Sequence, residues 1–205
     1  MANPEANTAA RRPRIMRRYG SLPVLAVPVL LLLFVLSRAP ASVGTQPWCL
    51  ILDWLPELGL RLDLQLDALS LLFALLVTGL GVLVTVYSLA YMRDEPGLGR
   101  YYGLLLVFMV AMLGVVTAGN LLLLFIFWEL TSVSSFLLIG FRHEEEASQQ
   151  SALQALLVTG GGGLALLAGV VLLGQVYGTY DLSAILARPE LLRGHPYYGW
   201  VLGLV

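Results

Sequence analysis

Long apolar runs separated by short polar segments dominate the chain from about residue 66 onward. Four of these runs are long enough to cross a membrane as helices, because about 20 apolar residues span the hydrocarbon core. They cover residues 66–91, 101–118, 121–141 and 152–176, and a further apolar run begins at Tyr197. The residues between the runs include prolines, glycines and charged side chains, which end helices and belong in water. The pattern therefore predicts a polytopic helical membrane protein.

Two interpretations remain open for a shorter apolar run near the N-terminus. Residues 1–20 are polar and carry five arginines, and residues 21–37 then form a first transmembrane helix or a signal-like segment. The signal interpretation rests on the small residues from Ala39 to Ala41, which resemble a cleavage site. We favour the helix. Residues 38–65, which contain several prolines and charges, are expected to form an external loop.

The predicted fold class is all-α: a polytopic transmembrane helix bundle with about five full spans plus the start of a sixth. The composition agrees, because the chain is 58% hydrophobic and only 12% charged, with a mean hydropathy of +0.81. A soluble domain has about 25% charged residues. The formal net charge of −1 gives no reason to expect nucleic acid as a partner.

Soluble enzyme chemistry finds no support in the sequence. It contains no P-loop, dinucleotide-binding fingerprint, Ser/His/Asp set or Cys/His cluster. We therefore expect no cofactor, no metal site and no enzymatic activity. Cys49 is the single cysteine, so it cannot form a disulfide within the chain.

Arginine placement predicts the orientation of the spans. Every basic residue is an arginine, and eight of them fall in segments on one side of the membrane: the five of the N-terminal tail, Arg93, Arg100 and Arg142. The other side has four, namely Arg38, Arg61, Arg188 and Arg193. Cytoplasmic segments carry the excess of positive charge, so the side with eight arginines is predicted to be cytoplasmic.

One acid lies deep inside an apolar run. Glu129 follows Trp128 near the middle of residues 121–141. A charge at the centre of a membrane helix costs about 2.5–3.5 kcal/mol, but each Leu, Ile, Phe or Val contributes roughly 0.3–0.6 kcal/mol in favour of insertion. The helix therefore inserts, and Glu129 should face the bundle interior or a hydrated cavity rather than lipid. We predict that Glu129 carries a proton; the alternative is a protonated carboxyl that hydrogen-bonds between helices.

Small polar residues surround this acid. Ser132 lies three positions further on, roughly on the same helix face, where it can hydrogen-bond the carboxyl and support it. Thr131, Ser134 and Ser135 spread further round the helix. Such residues also allow helices to pack closely without any role in transport.

Three other features are candidates for function, each with a structural alternative. Asp67 opens the run 66–91, where it is a site residue or a stabiliser of the helix N-terminus. His143 precedes three consecutive glutamates and either collects protons with them or lies in a solvated loop. The glycines of residues 160–163 permit close helix packing or an unwound segment that lines a cavity.

The segment NLLLLFIFWELTSVSSFLLIGF, residues 120–141, resembles a family of antiporter-like membrane subunits. The family includes the A subunit of the multisubunit (Mrp-type) cation/proton antiporters and the large antiporter-like subunit of respiratory complex I. Two further segments, LDALSLLFALLVTGLGVLVTVYSLAYM and YYGLLLVFMVAML, are similar to the two preceding helices of that family. The resemblance covers about residues 50–185. The motif VTGGGGLALLAG is more similar to the A subunit of the antiporters than to the complex I subunit.

The resemblance implies that Glu129 matches an essential proton-pathway residue, which the family pairs with a lysine two helices later. This sequence has no lysine, so that partner is expected beyond Val205. Residues 66–205 are then expected to form a truncated antiporter-like core, the N-terminal portion of a longer subunit. The complex I relatives commonly have a lysine where this sequence has Gln154 and an acid where it has Gly163. Both differences favour the antiporter branch of the family.

The expected function is that of a subunit in a monovalent cation/proton antiporter, which translocates protons through an intramembrane glutamate relay. The expected partners are the lipid bilayer, other antiporter subunits, protons and monovalent cations. The expected location is a bacterial-type inner membrane, with a cytoplasmic N-terminus if the first helix is not cleaved. Two alternatives remain: a proton-pumping subunit of NADH-quinone oxidoreductase or a related hydrogenase, and a membrane scaffold that does not transport.

Overall fold

The structure is a computed structural model that describes residues 22–42, 48–55, 60–92, 97–141 and 144–205. Eight helices and two strands lie within these ranges. In chain order they are α1 Leu22–Ser42, β1 Trp48–Leu55, β2 Leu60–Leu66, α2 Ala68–Tyr91, α3 Leu98–Thr117, α4 Leu121–Ile139, α5 Glu146–Tyr177, α6 Leu182–Leu186, α7 Pro189–Arg193 and α8 Tyr198–Leu204.

The long helices α2 to α5 confirm four of the predicted spans. Each is long and apolar enough to cross a membrane. Helix α4 begins at Leu121, as the sequence pattern predicts, whereas α5 begins at Glu146 rather than at Ala152. The earlier start has a physical reason, because an acid in the first turn interacts favourably with the positive end of the helix dipole.

The predicted count of five full spans is not confirmed, since the part of the chain that the structure describes contains four. The segment around residues 21–37 is helical, but the apolar part of α1, Val24–Pro40, is shorter than those four spans. Pro28 and Pro40 lie inside α1 and remove backbone hydrogen bonds from it. The apolar run that begins at Tyr197 forms α8, which packs against α5.

A β-hairpin occupies much of the segment predicted to be a loop, residues 38–65, so the fold is mostly helical rather than purely α-helical. Strands β1 and β2 pair in antiparallel fashion, with Leu50 opposite Leu64 at the centre. Leucine alternates with polar residues along Leu60–Leu66, and an alternation of period two is the pattern of a strand. The strands were not predicted, because the prolines and charges of the segment were given more weight than this alternation. That the segment is external stays a prediction.

Helix α4 lies between α3 and α5. On one side the ring of Phe127 lies against Gly114 of α3, and on the other side the carboxyl of Glu129 lies against Gly163 of α5. Residues two positions apart point to nearly opposite sides of a helix, because each residue turns it by about 100°. Glycine at both contacts allows the neighbouring backbones to approach closely.

Three segments that are distant in sequence meet at one end of the bundle. The Gly119 N–H donates to the Asp63 carbonyl oxygen at 2.8 Å, and the Leu182 N–H donates to the Gly119 carbonyl oxygen at 2.9 Å. A side chain at position 119 would collide with the side chains of Asp63 and Gln65, which explains why glycine occupies the turn. These hydrogen bonds bring the three segments together at one end of the bundle. That this end is external stays a prediction.

Candidate functional site

Glu129 lies close to the middle of α4. At a rise of about 1.5 Å per residue, it is about 12 Å from the first residue of the helix, Leu121, and about 15 Å from the last, Ile139. The hydrocarbon core of a bilayer is about 30 Å thick. In a helix that spans this core, the Glu129 carboxyl therefore lies near the midplane.

The N-terminal end of α4 is fixed by hydrogen bonds, which sets the depth of every residue in the helix. The Asn120 side chain caps the helix, because its Oδ1 accepts hydrogen bonds from the backbone N–H groups of Leu122 and Leu123 at 2.9 and 3.2 Å. The Leu121 N–H donates to the carbonyl oxygen of Tyr180 at 2.8 Å. The first N–H groups of a helix have no carbonyl partner within the helix, and these bonds supply partners for three of them.

The carboxyl of Glu129 lies directly against the backbone of Gly163 in α5. A Cβ placed at position 163 would collide with Oε1 of Glu129 and would lie 3.1 Å from its Cδ. Oε1 is buried and has no hydrogen-bond partner within the described ranges. The two helices thus enclose an acceptor oxygen that is available to take a proton or to accept a hydrogen bond.

A second close contact aligns the same two helices. A Cβ at Gly140, the residue that caps the C-terminus of α4, would lie 3.4 Å from the Cβ of Ala152 in α5. The Ser148 hydroxyl also donates to the carbonyl oxygen of Ile139 at 2.7 Å, which satisfies a carbonyl at the end of α4. The segments 129–140 and 152–163 have equal length, so the contacts at their two ends fit one antiparallel register.

The polar residues near Glu129 bond to their own helix. The Ser132 hydroxyl is buried and donates to the Trp128 carbonyl oxygen at 3.3 Å. The hydrogen bond from Ser132 to the carboxyl, expected from their spacing, is therefore not formed within the described residues. Thr131, Ser134 and Ser135 likewise donate to carbonyl oxygens of α4. Hydroxyls satisfied in this way can lie inside a bundle, so their geometry fits helix packing.

Asp67 caps the N-terminus of α2. Its Oδ1 accepts hydrogen bonds from the Ser70 hydroxyl at 2.6 Å and from the Ser70 N–H at 2.8 Å, while the Asp67 N–H donates to the Ser70 hydroxyl oxygen at 2.8 Å. These bonds, the side-chain one first, lower the pKa of Asp67 below its ordinary value of 3.8. The geometry therefore supports the structural alternative for Asp67, and a role in transport stays a prediction.

A pocket of about 360 Å³ opens beside this cap, at the end of the bundle where Gly119 lies. Its polar lining comes from Gln65, Asp67, Ser70 and Thr117. Next to it Asp63 is 6% exposed, and its Oδ2 accepts a hydrogen bond from Gln65 at 3.1 Å. The pocket does not reach Glu129, so the described residues form two separate polar regions rather than one site.

The remaining candidates from the sequence are His143 and the glycines of residues 160–163. His143 lies outside the described residues. The 160–163 segment is continuous α-helix, so the unwound alternative is not observed. A Cβ at Gly160, Gly161 or Gly162 would meet nothing within 4 Å, and only Gly163 of this run makes a close contact within the described part of the chain.

Sequence reasoning missed two features of the site. Asn120 was not predicted to be an N-cap, although asparagine directly before an apolar run is a helix-start signal. The contact between Glu129 and Gly163 could not be predicted in this way, because no local sequence pattern indicates which residue of α5 faces α4. The glycine run indicates that one of four positions in α5 could contact a neighbouring helix closely, but it does not show which one.

Comparison with known families gives two matches. The description "NADH-Ubiquinone oxidoreductase (complex I), chain 5 N-terminus" matches residues 54–102. The description "NADH:quinone oxidoreductase/Mrp antiporter, TM" matches residues 118–199. The second match contains α4 and α5 and therefore the contact between Glu129 and Gly163.

Two relatives show the likeness at the level of whole sequences. The probable A/B subunit of a K(+)/H(+) antiporter from Rhizobium meliloti is 49% identical over 154 residues, which are 75% of this chain and 15% of the relative. The A1 subunit of a Na(+)/H(+) antiporter from Staphylococcus haemolyticus is 41% identical over 182 residues, which are 89% of this chain and 23% of the relative. The chain therefore spans less than a quarter of the length of these relatives.

Two solved structures share the fold. A chain of the Mrp complex from Dietzia sp. DQ12-45-1b superimposes with a TM-score of 0.81 at 34% identity, over 94% of this chain and 21% of that one. A chain of the membrane-bound sulfane sulfur reductase, an archaeal respiratory membrane complex, gives a TM-score of 0.72 at 17% identity and shows likeness of fold alone. The chain is thus a multi-pass membrane protein, and it belongs to the family of antiporter-like membrane subunits that includes the A subunit of the Mrp-type cation/proton antiporters.

Proposed function

We propose that this chain forms part of the proton pathway of a multisubunit monovalent cation/proton antiporter, and that Glu129 is the group that carries the proton. The observation that carries the proposal is the position of its carboxyl: near the middle of a membrane-length helix, with a buried oxygen that has no hydrogen-bond partner among the described residues. The names of the relatives, which are subunits of a K(+)/H(+) and a Na(+)/H(+) antiporter, support the choice of ions.

The chemistry of the site depends on two opposing effects. A proton neutralises the carboxyl, whereas a cation brought close stabilises the carboxylate that remains when the proton leaves. A change of about 1.4 kcal/mol in the balance shifts the ratio of the two forms about tenfold. A modest movement of a partner charge is therefore enough to load or release the proton. The family resemblance implies that a lysine of the longer subunit supplies that charge.

The alternative of a purely structural acid finds less support. A protonated carboxyl that joins helices needs an acceptor or donor on the neighbouring helix, and Oε1 has none within the described residues. A buried polar atom that stays unpaired costs about 1–3 kcal/mol. An acid retained at that cost is better explained by a function that uses its free oxygen.

The partners follow from the same proposal. The other subunits of an antiporter complex, the surrounding lipid, protons and monovalent cations are the proposed partners. The proposed location is a bacterial-type inner membrane, with the N-terminus in the cytoplasm if the first helix is not cleaved. A redox-driven role in a complex I-type assembly is less well supported, because the relatives at 38–49% identity carry antiporter names. The respiratory neighbour shares the fold at only 17% identity.

The test is substitution in the complete antiporter complex, reconstituted into vesicles. Glu129→Gln keeps the shape of the side chain and its capacity to hydrogen-bond but cannot titrate. It should abolish proton movement driven by Na+ or K+ gradients while leaving insertion and assembly intact. Glu190→Gln removes an exposed acid of α7 and is the matched control, which should exchange ions at the wild-type rate. Wild-type exchange by Glu129→Gln would contradict the proposal.

A further inference from the structure

The four consecutive glycines of α5 are not equivalent. Only Gly163 meets another helix closely within the described part of the chain, and what it meets is the carboxyl of Glu129. We infer that Gly163 is a positioning residue for proton transfer: its missing side chain defines where the Glu129 carboxyl lies. This inference rests on the proposed function of Glu129.

The contact leaves no room for a side chain. A Cβ at position 163 would overlap Oε1 of Glu129, would lie 3.1 Å from its Cδ and would lie 3.7 Å from Oε2. The overlap is with the functional end of Glu129 rather than with its aliphatic stem. A methyl group at this position therefore displaces the carboxyl itself.

The two helices cannot easily move apart to relieve such an overlap. On one side of the site, the backbone at Gly140, which caps the C-terminus of α4, lies close to α5: a Cβ at position 140 would lie 3.4 Å from that of Ala152. On the other side, Gly169 of α5 packs against α8, where a Cβ would lie 3.2 Å from that of Leu204, so a shift of α5 away from α4 would also disturb this second contact. The Glu129 side chain, in contrast, turns about its own single bonds. The carboxyl is thus the part that moves, while the fold and its assembly are retained.

Displacement of the carboxyl matters because proton transfer has strict geometric limits. Donor and acceptor must approach to about 2.6–3.2 Å, directly or through one water. An error of about 1 Å in the position of a reacting group costs as much as 100-fold in rate. Glycine is also the least favourable ordinary residue inside a helix, apart from proline, so its presence at position 163 opposes local helix stability. The contact with Glu129 explains why the smallest residue occupies this position.

The neighbouring glycine provides a matched control. A Cβ at Gly162 meets nothing within 4 Å, so Gly162→Ala adds the same methyl group to the same helix without touching Glu129. In the complete antiporter complex, Gly163→Ala should lower the rate of cation-driven proton movement by about tenfold or more. Gly162→Ala should keep the wild-type rate. Equal rates for the two alanine variants would overturn the inference.

A rescue experiment separates positioning from a general packing defect. Glu129→Asp shortens the acid by one methylene group and draws the carboxyl back from position 163. In the Gly163→Ala background, Glu129→Asp should raise the exchange rate above that of Gly163→Ala alone, and should restore assembly if the single variant assembles poorly. A double variant no better than Gly163→Ala on either measure would refute the inference.

The result for Glu129→Gln distinguishes the two proposals. If that variant is inactive while Gly163→Ala exchanges like Gly162→Ala, Glu129 carries the proton and Gly163 does not position it. If Glu129→Gln exchanges at the wild-type rate, the proposed function itself fails, and the inference about Gly163 fails with it.

Discussion

The backbone at Gly140, which caps the C-terminus of α4, lies close to Ala152 of α5, so that a Cβ at position 140 would lie 3.4 Å from that of Ala152. Glu129 precedes Gly140 by the same number of residues as Gly163 follows Ala152. One antiparallel register therefore accounts for both contacts. The depth and orientation of the central acid are set by packing several turns away from it, since the fixed cap at Asn120 and the Gly140 contact bracket the helix that carries it.

The contact between Gly114 and Phe127 holds the opposite side of α4. We expect Gly114→Ala to destabilise the protein by about 1–3 kcal/mol, because the added methyl group would overlap the Phe127 ring in a packed interface. Gly103→Ala in the same helix α3 meets nothing within 4 Å and is the control; it should be neutral or stabilising by up to about 1 kcal/mol. Thermal unfolding of the two purified complexes measures the difference, and equal midpoints would contradict it.

The cap formed by Asp67 predicts a pH effect on stability. Its folded-state pKa is lowered below 3.8, so the stabilisation by the ionised cap is present above that value and is lost as the pH falls through the lower folded pKa. Asp67→Ala should cost about 1 kcal/mol near neutral pH, whereas Asp67→Asn keeps an acceptor and should cost little. On acidification, the stability advantage of the wild type over Asp67→Ala should shrink.

Transport assays separate this cap from a role in the pathway. If Asp67 acts only as a helix cap, Asp67→Asn should exchange ions at the wild-type rate in the complete complex. Loss of exchange in Asp67→Asn, with unchanged thermal stability, would show that the acid takes part in transport.

Four of the spans could be predicted from the sequence, because a long apolar run is enough to identify each of them. Residues 121–141 need no partner to be recognised as a membrane helix, and the predicted start at Leu121 is the observed one. The hairpin was missed because its signal, the alternation along Leu60–Leu66, lies in a segment whose prolines and charges indicate a loop. The composition of this segment indicates a loop, whereas its period-two alternation indicates a strand, and the structure contains the strand.

The site could be predicted only in part, for a physical reason. An ionisable residue within a long apolar run is energetically costly and therefore rare, so Glu129 can be identified as a candidate from the sequence alone. Its neighbour Gly163 cannot, because the rotation of one helix relative to another depends on packing along the whole interface. The expected hydrogen bond from Ser132 failed for a local reason: the carbonyl of the preceding turn, at Trp128, is a nearer acceptor for a hydroxyl in a helix.

The predicted orientation can be tested by labelling single cysteines in a Cys49→Ala background. Glu146→Cys at the start of α5 should react with an impermeant reagent from the cytoplasmic side only, because the arginine-rich segments are predicted to lie on that side. Glu190→Cys in α7 should react from the external side only. Both positions are exposed, so poor access does not limit the reaction. Labelling of position 146 from outside would reverse the scheme.

The most direct test of the central claim is to observe the proton on Glu129. Infrared difference spectra of the complete complex, recorded with and without Na+ or K+, report the C=O band of any carboxylic acid that gains or loses a proton. We predict that such a band changes in the wild type and in Glu190→Gln when the transported cation is added, and that the change is absent in Glu129→Gln. The same band change in Glu129→Gln as in the wild type would show that the proton resides elsewhere and would contradict the account.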